Sequence, residues 1–207
     1  MKKSHFMHGL RNIMTLVVTL SFLPMLLNAQ DKGTIKDPRD GRVYNWVKIG
    51  TQTWMTQNLK FNAPVGSWAY NNDSANEVNY GRLYSWKAAQ TACPKGWHLP
   101  SDKEWGVLIQ SLGGSAGAGL KMQSMDTIGK AHPAAVAPAN AISTLLGGVR
   151  HPDGTCIGLN SWGGCWSAGK VNDTIANNVL FVHGSKEMGL STNDKNAGFS
   201  VRCMKSK

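Results

Sequence analysis

The chain has 207 residues, with 22 Lys and Arg against 12 Asp and Glu, and with 23 Gly, 8 Trp and 4 Cys. The basic residues are spaced singly and form no block of five or six like charges, which argues against a nucleic-acid groove. Few charged residues together with many Gly and Trp indicate a loop-rich domain with aromatic packing.

The first 29 residues have the pattern of a secretory signal peptide. Lys2, Lys3 and Arg11 form a positive region, and an apolar run from Ile13 to Leu27 follows and ends in small residues at Ala29. The run is too short to span a bilayer. Without residues 1–29 the chain has 19 basic and 12 acidic residues, a net charge of +7. We therefore expect an exported protein, periplasmic, surface-bound or secreted, with no transmembrane segment after cleavage.

Residues 30–36 are predicted to be a short linker, followed by a domain over residues 37–205. Alternating residues from Val43 to Ile49, a turn at 50–52 and an apolar stretch from Trp54 to Leu59 predict a β-hairpin. Residues 62–80 are rich in Asn, which favours turns, and predict a surface loop.

Two helices are predicted next. Apolar residues at three- and four-residue steps from Leu83 predict a helix that ends with Cys93 on its buried face, before Pro94. Ser101 and Glu104 form a capping-box pattern for a second helix, whose apolar stripe begins at Trp105.

The remaining residues divide into an irregular part and a strand-rich part. Residues 113–141 are rich in Gly, Ala and Pro and predict an irregular segment with one short helical piece near 119–125. The C-terminal third predicts short antiparallel strands, with Val179 and Phe181 on a buried central one. The order of elements predicts an α+β domain whose two ends meet in one sheet.

The even number of cysteines in an exported chain predicts two disulfides, out of three possible connectivities. Their spacing contains no C-x-x-C pair and no clustered histidines, so a zinc site is not expected. The scheme that we favour joins Cys93 to Cys203, closing a long loop, and Cys156 to Cys165, closing a short Gly-rich one.

Candidate ligand-binding residues lie in two loop regions. Trp68, Trp162 and Trp166 lie in or beside Gly- and Asn-rich stretches, and the flat apolar face of indole matches the C–H face of a sugar ring. The other five tryptophans are predicted to be core. Asn71, Asn72 and Asp73 offer side-chain oxygens that suit either a ligand or a plain Asx-rich turn.

No catalytic, cofactor or metal site is predicted. The stretch from Asn71 does not have the EF-hand spacing, since Ala75 and Arg82 occupy ligand positions, although calcium in another geometry stays open. There is no G-x-S-x-G elbow and no phosphate-binding glycine motif. His98 lies between two tryptophans, and its role is not predicted.

Five motifs in series resemble a known family. "DPRDGRVYNWVKIGTQTWMTQNL", "WAYNNDSANEVNYGRLYSW", "CPKGWHLPSDKEW", "LLGGVRHPDG" and "SVRCMK" follow one another in the order found in the Fibrobacter succinogenes major paralogous domain. The resemblance covers residues 37–205. It implies a C-type lectin-like fold and an exported or surface location, but it implies no settled activity.

Two further comparisons of motifs limit the function. The segment "WHLPSDKEW" and the final strand are similar to those of the formylglycine-generating enzyme family, but the reactive cysteine pair of that family has no counterpart before the final strand here. Calcium-dependent lectins use an E-P-N or Q-P-D loop and a W-N-D motif, whereas this sequence has only "KVND" at 170–173. We therefore expect an exported binding module for a polysaccharide or a cell-surface protein. The alternative is a structural or adhesion scaffold of the cell surface with no small ligand.

Overall fold

The computed structural model describes residues 31–122 and 146–207, so the predicted signal peptide and most of the predicted irregular segment lie outside the described residues. The strands are β1 Lys32–Lys36, β2 Val43–Ile49, β3 Gln52–Met55, β4 Ser67–Trp68, β5 Leu83–Tyr84, β6 Trp97–His98, β7 Gly147–Arg150, β8 Cys156–Leu159, β9 Trp162–Lys170, β10 Ile175–Val182, β11 Met188–Asp194 and β12 Met204–Lys205. The helices are α1 Ser74–Tyr80, α2 Trp86–Ala92, α3 Asp102–Ser111 and α4 Ser115–Met122, and Tyr70–Asn72 forms a 3₁₀ turn.

The first sheet joins the two ends of the domain, as predicted. Its strand order is β1-β2-β3-β12-β6, and each pair is antiparallel. In the last strand, Met204 lies opposite Trp54 on one side and His98 on the other. The predicted hairpin is confirmed as β2 and β3. Residues 32–36, which fall in the predicted linker, pair with Val43–Val47 as an edge strand.

The second sheet has the order β11-β10-β9, which confirms a central strand over the Val179 region. Val179 and Phe181 are fully buried on one face of β10, where they pack against α3 and α4. The coarse prediction of an α+β domain is therefore confirmed.

Capping side chains determine where the helices begin. α3 has the predicted capping box, in which Ser101 and Glu104 each bond the other's backbone N–H. The first predicted helix begins later than expected, at Trp86, because Leu83–Tyr84 pairs with β4 and Ser85 supplies the N-cap. It ends at Cys93, as predicted. The predicted loop at 62–80 is wrong over its second half, because Asp73 accepts a hydrogen bond from the Ala75 N–H and starts α1.

Tryptophan and one arginine form much of the core. The rings of Trp54 and Trp105 lie 4.8 Å apart. Of the five tryptophans predicted to be core, Trp54, Trp97 and Trp105 are buried, whereas Trp46 and Trp86 are partly buried. Arg202 is fully buried, and its guanidinium donates to the Thr56 carbonyl at 2.8 Å and to Asn58 Oδ1 at 2.6 Å. Burial lowers the pKa of Arg202 to about 10, so the side chain is still cationic at neutral pH.

One of the two predicted disulfides is present. Cys93 and Cys203 are bonded, with their Cα atoms 5.8 Å apart. The predicted Cys156–Cys165 bridge is wrong, because both cysteines are free. Cys165 is fully buried in β9 among core residues, whereas the Cys156 sulfur lies at the 3₁₀ turn, where it accepts a hydrogen bond from the Asn71 N–H at 3.4 Å.

Removal of the disulfide is expected to destabilise the domain strongly. The bond joins residues 110 positions apart, and a bridge that closes a loop of this length stabilises by roughly 2–5 kcal/mol. The double variant Cys93→Ser/Cys203→Ser should lose that amount of unfolding free energy in a urea titration. The control Cys156→Ser should stay within about 0.5 kcal/mol of the parent, and an unchanged midpoint for the double variant would contradict this role of the bond.

Thiol labelling is expected to separate the two free cysteines. Cys156 is partly exposed and should react with iodoacetamide in the native protein. Burial raises the pKa of Cys165 to about 11, so at pH 8 this thiol is both protonated and shielded. Mass spectrometry of the unreduced protein should therefore show one added group before unfolding and two after it. If no thiol of the unfolded protein is labelled, Cys156 and Cys165 are bonded to each other and the assignment of free thiols is wrong.

Candidate functional site

A small cleft of about 80 Å³ opens between the β7–β8 hairpin, the three-stranded sheet and the segment before the last strand. Its floor is apolar and consists of Val149, Leu180, Ala197 and Phe199. Its rim combines one aromatic and three polar residues, namely Trp162, Arg150, His151 and Asn193. Concave sites with an apolar floor and a few convergent polar groups are typical of ligand binding.

Trp162 is the exposed aromatic residue of this cleft. Its side chain is 40% exposed, although it lies in a strand, opposite the exposed Val182. Gly158 lies beneath the ring: a Cβ at that position would stand 3.0 Å from the indole, and the residue has a φ of +79°. The absence of a side chain at Gly158 lets the indole lie flat on the β8 backbone, with its outer face toward solvent. Trp162 is thus accessible to a ligand, and its role in binding stays a prediction.

Arg150 forms the polar wall and is held by two neighbours. Its Cζ lies 4.2 Å from the centre of the Trp68 ring, a cation–π contact. Its Nη1 donates to the His151 carbonyl at 3.3 Å. Gly198 makes room for this packing, because a Cβ there would meet Arg150 and Trp68. Trp68 therefore supports the cleft from behind Arg150 instead of lining it.

Asn193 is oriented by a buried neighbour. Its Nδ2 donates to Asn178 Oδ1 at 3.0 Å, and Asn178 is fully buried in β10. This bond uses the amide nitrogen of a residue that lines the cleft and leaves its Oδ1 as an acceptor. In the described part of the chain no donor reaches that oxygen, so it is available to a hydroxyl.

The predicted Asn-rich cluster does not line the cleft. Asn71 and Asn72 have positive φ values of 54° and 58°, which Asn tolerates better than most residues, and Asp73 caps α1. The 3₁₀ turn packs on the β7–β8 hairpin through the Asn71–Cys156 contact. These three residues thus pack against the hairpin that contains Arg150, and they form a turn and a helix cap.

Trp166 is not a binding residue, so this prediction is wrong. It is fully buried, and its Nε1 donates to the Tyr84 carbonyl at 2.6 Å. Its ring meets Phe199 edge-on at 4.8 Å. The pairing of β9 with β10 is regular from Trp162 to Trp166, so both indoles lie on the same face of the strand. They differ because Trp162 is the first residue of β9, whereas Trp166 lies farther along the strand, against Phe199 in the core.

Sequence reasoning missed Arg150, His151 and Asn193. The stretch "LLGGVRHPDG" contains the first two, but its local pattern predicts only a strand and a turn. Asn193 lies on β11, which is far along the chain from β7. No local pattern therefore indicates that Asn193 lies near Arg150 and His151.

His98 has a structural partner in the capping box. Its Nε2 lies 3.1 Å and 3.2 Å from the two oxygens of Glu104, and its Nδ1 lies 3.1 Å from the Ser206 hydroxyl. Glu104 also accepts from the Ser101 N–H at 2.8 Å and from its hydroxyl at 2.8 Å. These hydrogen bonds outweigh partial burial and hold the pKa of Glu104 below its usual range. His98 thus links the start of α3 to the end of the chain.

No three His, Cys, Asp or Glu side chains in residues 31–122 and 146–207 cluster as a metal ion requires. No helix of the described ranges is both long and apolar enough to cross a membrane.

Comparison with known proteins identifies a family but no activity. The family model of the Fibrobacter succinogenes major domain matches residues 47–205. No curated protein and no solved structure matches this chain.

Substitution Glu104→Gln is expected to cost about 1 kcal/mol of unfolding free energy at pH 7, since it removes the charge from the capping box and from the His98 contact. The folded pKa of Glu104 lies below the unfolded value, so its stabilisation is present above that value and is lost as the pH falls through the folded pKa. Denaturant titrations should therefore give a difference between parent and variant that shrinks below about pH 4. Glu187→Gln, at an exposed acid, is the matched control. A difference that is constant from pH 7 to pH 3 would contradict the assignment.

Proposed function

We propose a function from the cleft itself, because the chain belongs to the Fibrobacter succinogenes major domain family and that match names no activity. The protein is an exported binding module that holds a polysaccharide against Trp162. The observation that carries the proposal is an exposed indole, fixed flat on Gly158 beside Arg150, His151 and Asn193. The predicted leader at residues 1–29 supports export.

The chemistry of the rim suits a sugar. An indole face covers the apolar C–H face of a pyranose, and the polar groups beside it bond the hydroxyls at the ring edge. Asn193 offers an acceptor, and Arg150 offers guanidinium donors. Because Trp162 and Asn193 lie on strands of one sheet, and Asn193 is bonded to the buried Asn178, little side-chain freedom is lost on binding.

The size of the cleft favours a polymer that lies across its mouth. Pockets that enclose a drug-sized ligand measure about 300–1,000 Å³, whereas this cleft holds about 80 Å³. A whole sugar ring therefore lies outside on Trp162, and a single substituent enters the cleft.

The proposal includes binding without cleavage. Hydrolysis of a glycosidic bond ordinarily requires a pair of carboxyl groups that flank it. The residues that line this cleft include no Asp or Glu. Its groups suit recognition better than acid–base chemistry on a glycosidic bond.

We further propose that the fold is C-type lectin-like and that binding needs no calcium. Support comes from the sheet that joins the ends of the domain, from α2 and α3 between its strands, and from the smaller sheet β9–β11 beside the cleft. The lack of E-P-N, Q-P-D and W-N-D motifs in the sequence supports the calcium-free mode.

Trp162→Ala is expected to weaken binding to insoluble polysaccharides and to a glycan array at least about tenfold, because the stacking platform is lost. Trp162→Phe should keep part of the affinity, since a flat ring remains. The control Val171→Ala removes an exposed side chain that is 59% accessible in the β9–β10 turn and should bind like the parent.

The same panel, run with calcium and then with EDTA, should give equal affinities. Absence of saturable retention on every glycan would overturn the proposal and favour the scaffold alternative. If the Trp162→Ala variant and the parent bind with equal affinity, the glycan binds at a site other than Trp162.

A further inference from the structure

We infer that the cleft selects a polysaccharide with carboxylate substituents, such as a polymer of uronic acids, and that Arg150 is the residue that binds the carboxylate. This inference rests on the proposed function, because it names the ligand class of the same site. Three observations support it: the Arg150 guanidinium has no salt bridge in the described residues, no acid lines the cleft, and the cleft is small.

The Arg150 guanidinium lacks the carboxylate partner that Arg39, Arg42 and Arg82 have. In the described ranges, Arg39, Arg42 and Arg82 each form a salt bridge with Asp or Glu. Arg150 forms none; the described residues give it the Trp68 ring and one backbone carbonyl. Within the described residues its Nε and Nη2 have no acceptor, although a guanidinium in a rigid fork matches a carboxylate with two parallel bonds.

The surroundings favour an anion over a neutral group. No Asp or Glu lines the cleft, and His151 adds a second basic side chain beside Arg150. The acid of the same hairpin, Asp153, is occupied as a turn residue: its Oδ1 accepts from the Thr155 N–H at 2.9 Å. Hydrogen bonds from Thr155, and to a smaller degree the charges of His151 and Arg150, hold the pKa of Asp153 below its usual range. Asp153 is therefore an anion near Arg150, but it does not line the cleft and forms no salt bridge with the guanidinium in the described residues.

Packing keeps Arg150 in position for a ligand. The Trp68 ring lies on one side of the guanidinium, and Gly154 in the following turn leaves room on another, since a Cβ there would stand 3.0 Å from Nη2. A held guanidinium loses less side-chain freedom on binding than a free one does. This gives Trp68 a positioning role: it acts on the ligand through Arg150.

The volume of the cleft fits one substituent of this kind. A cleft of about 80 Å³ is small beside the pockets that enclose whole ligands, and it suits one substituent of a sugar. A uronic acid has its carboxylate at the edge of the pyranose, so its ring can lie on Trp162 while the carboxylate reaches Arg150. The two residues line the same cleft, as this two-point contact requires.

The test compares two polymers with one backbone. Polygalacturonate and its fully methyl-esterified form differ in the charge of the substituent and not in the sugar chain. We expect the parent protein to bind polygalacturonate at least about tenfold more tightly in isothermal titration, and expect this preference to shrink as NaCl rises from 50 to 500 mM.

Three variants locate the preference. Arg150→Gln should reduce the preference for the charged polymer to less than about twofold, and Arg150→Lys should restore part of it, because a lysine keeps the charge without the bidentate fork. Lys87→Gln, which removes one positive charge from an exposed site on α2, should leave it unchanged. Thermal unfolding of each variant near the parent's midpoint ensures that folded proteins are compared.

The outcomes separate this inference from the proposed function. Equal binding of both polymers, lost on Trp162→Ala, would overturn the carboxylate inference and leave the polysaccharide site standing. A charge preference that survives Arg150→Gln in a folded variant would also overturn it. If neither polymer binds but a neutral glycan binds at Trp162, the carboxylate inference is overturned and the polysaccharide site stands. If no glycan binds, both proposals are overturned.

Discussion

The fold depends on how the last strand closes the domain. β12 has only two residues, yet it lies between β3 and β6 and so joins the start of the domain to the segment after α2. The bond between Cys93 and Cys203 makes this closure covalent. Beside it, the buried Arg202 donates to the backbone and side chain of residues 56–58, so the charge is compensated by oxygens that only this closed arrangement supplies. Separation of the strand would leave a buried cation and several buried acceptors without partners, which is far more costly than the loss of a few ladder bonds.

The segment that leads into this strand also builds the cleft. Residues 197–203 run from the cleft floor at Ala197 and Phe199 to the disulfide at Cys203. Isolated bridges pair Phe199 with Tyr84 and Gly198 with Arg150, so the same stretch contacts both the first half of the domain and the β7–β8 hairpin. Trp166 adds a second tie from β9 to Tyr84. The binding surface is therefore an extension of the core and not a separate loop, which explains how an exposed ring can be held firmly at the edge of a Gly-rich region.

Local signals in the sequence predicted the elements well and the site only in part. The capping box at Ser101 and Glu104, the alternation around Val179 and the placement of Cys93 at a helix end are short-range patterns, and each is confirmed. The same reasoning assigned Trp162 and Trp166 together, because both are in a Gly-rich stretch. Only their positions along the strand separate them: Trp162 begins β9 at the mouth of the cleft, whereas Trp166 packs on Phe199 in the core. The Cys156–Cys165 bridge failed for a related reason: nearness in sequence says nothing about which face of a strand a sulfur occupies. Arg150 and Asn193 could not be found at all, since their proximity depends on the contact between two hairpins.

The glycine beneath Trp162 has a further consequence for how the protein meets a surface. An indole that lies on the backbone has one covered face and one open face, so it can support a sugar chain from one side only and cannot enclose it. A one-sided platform tolerates ligands of any length and can engage a chain that is itself part of a wall or fibre, but the area it covers is small and the affinity of each copy is correspondingly modest. Tight attachment through such a platform requires several copies acting on one polymer, where the effective concentration after the first contact supplies the remaining strength.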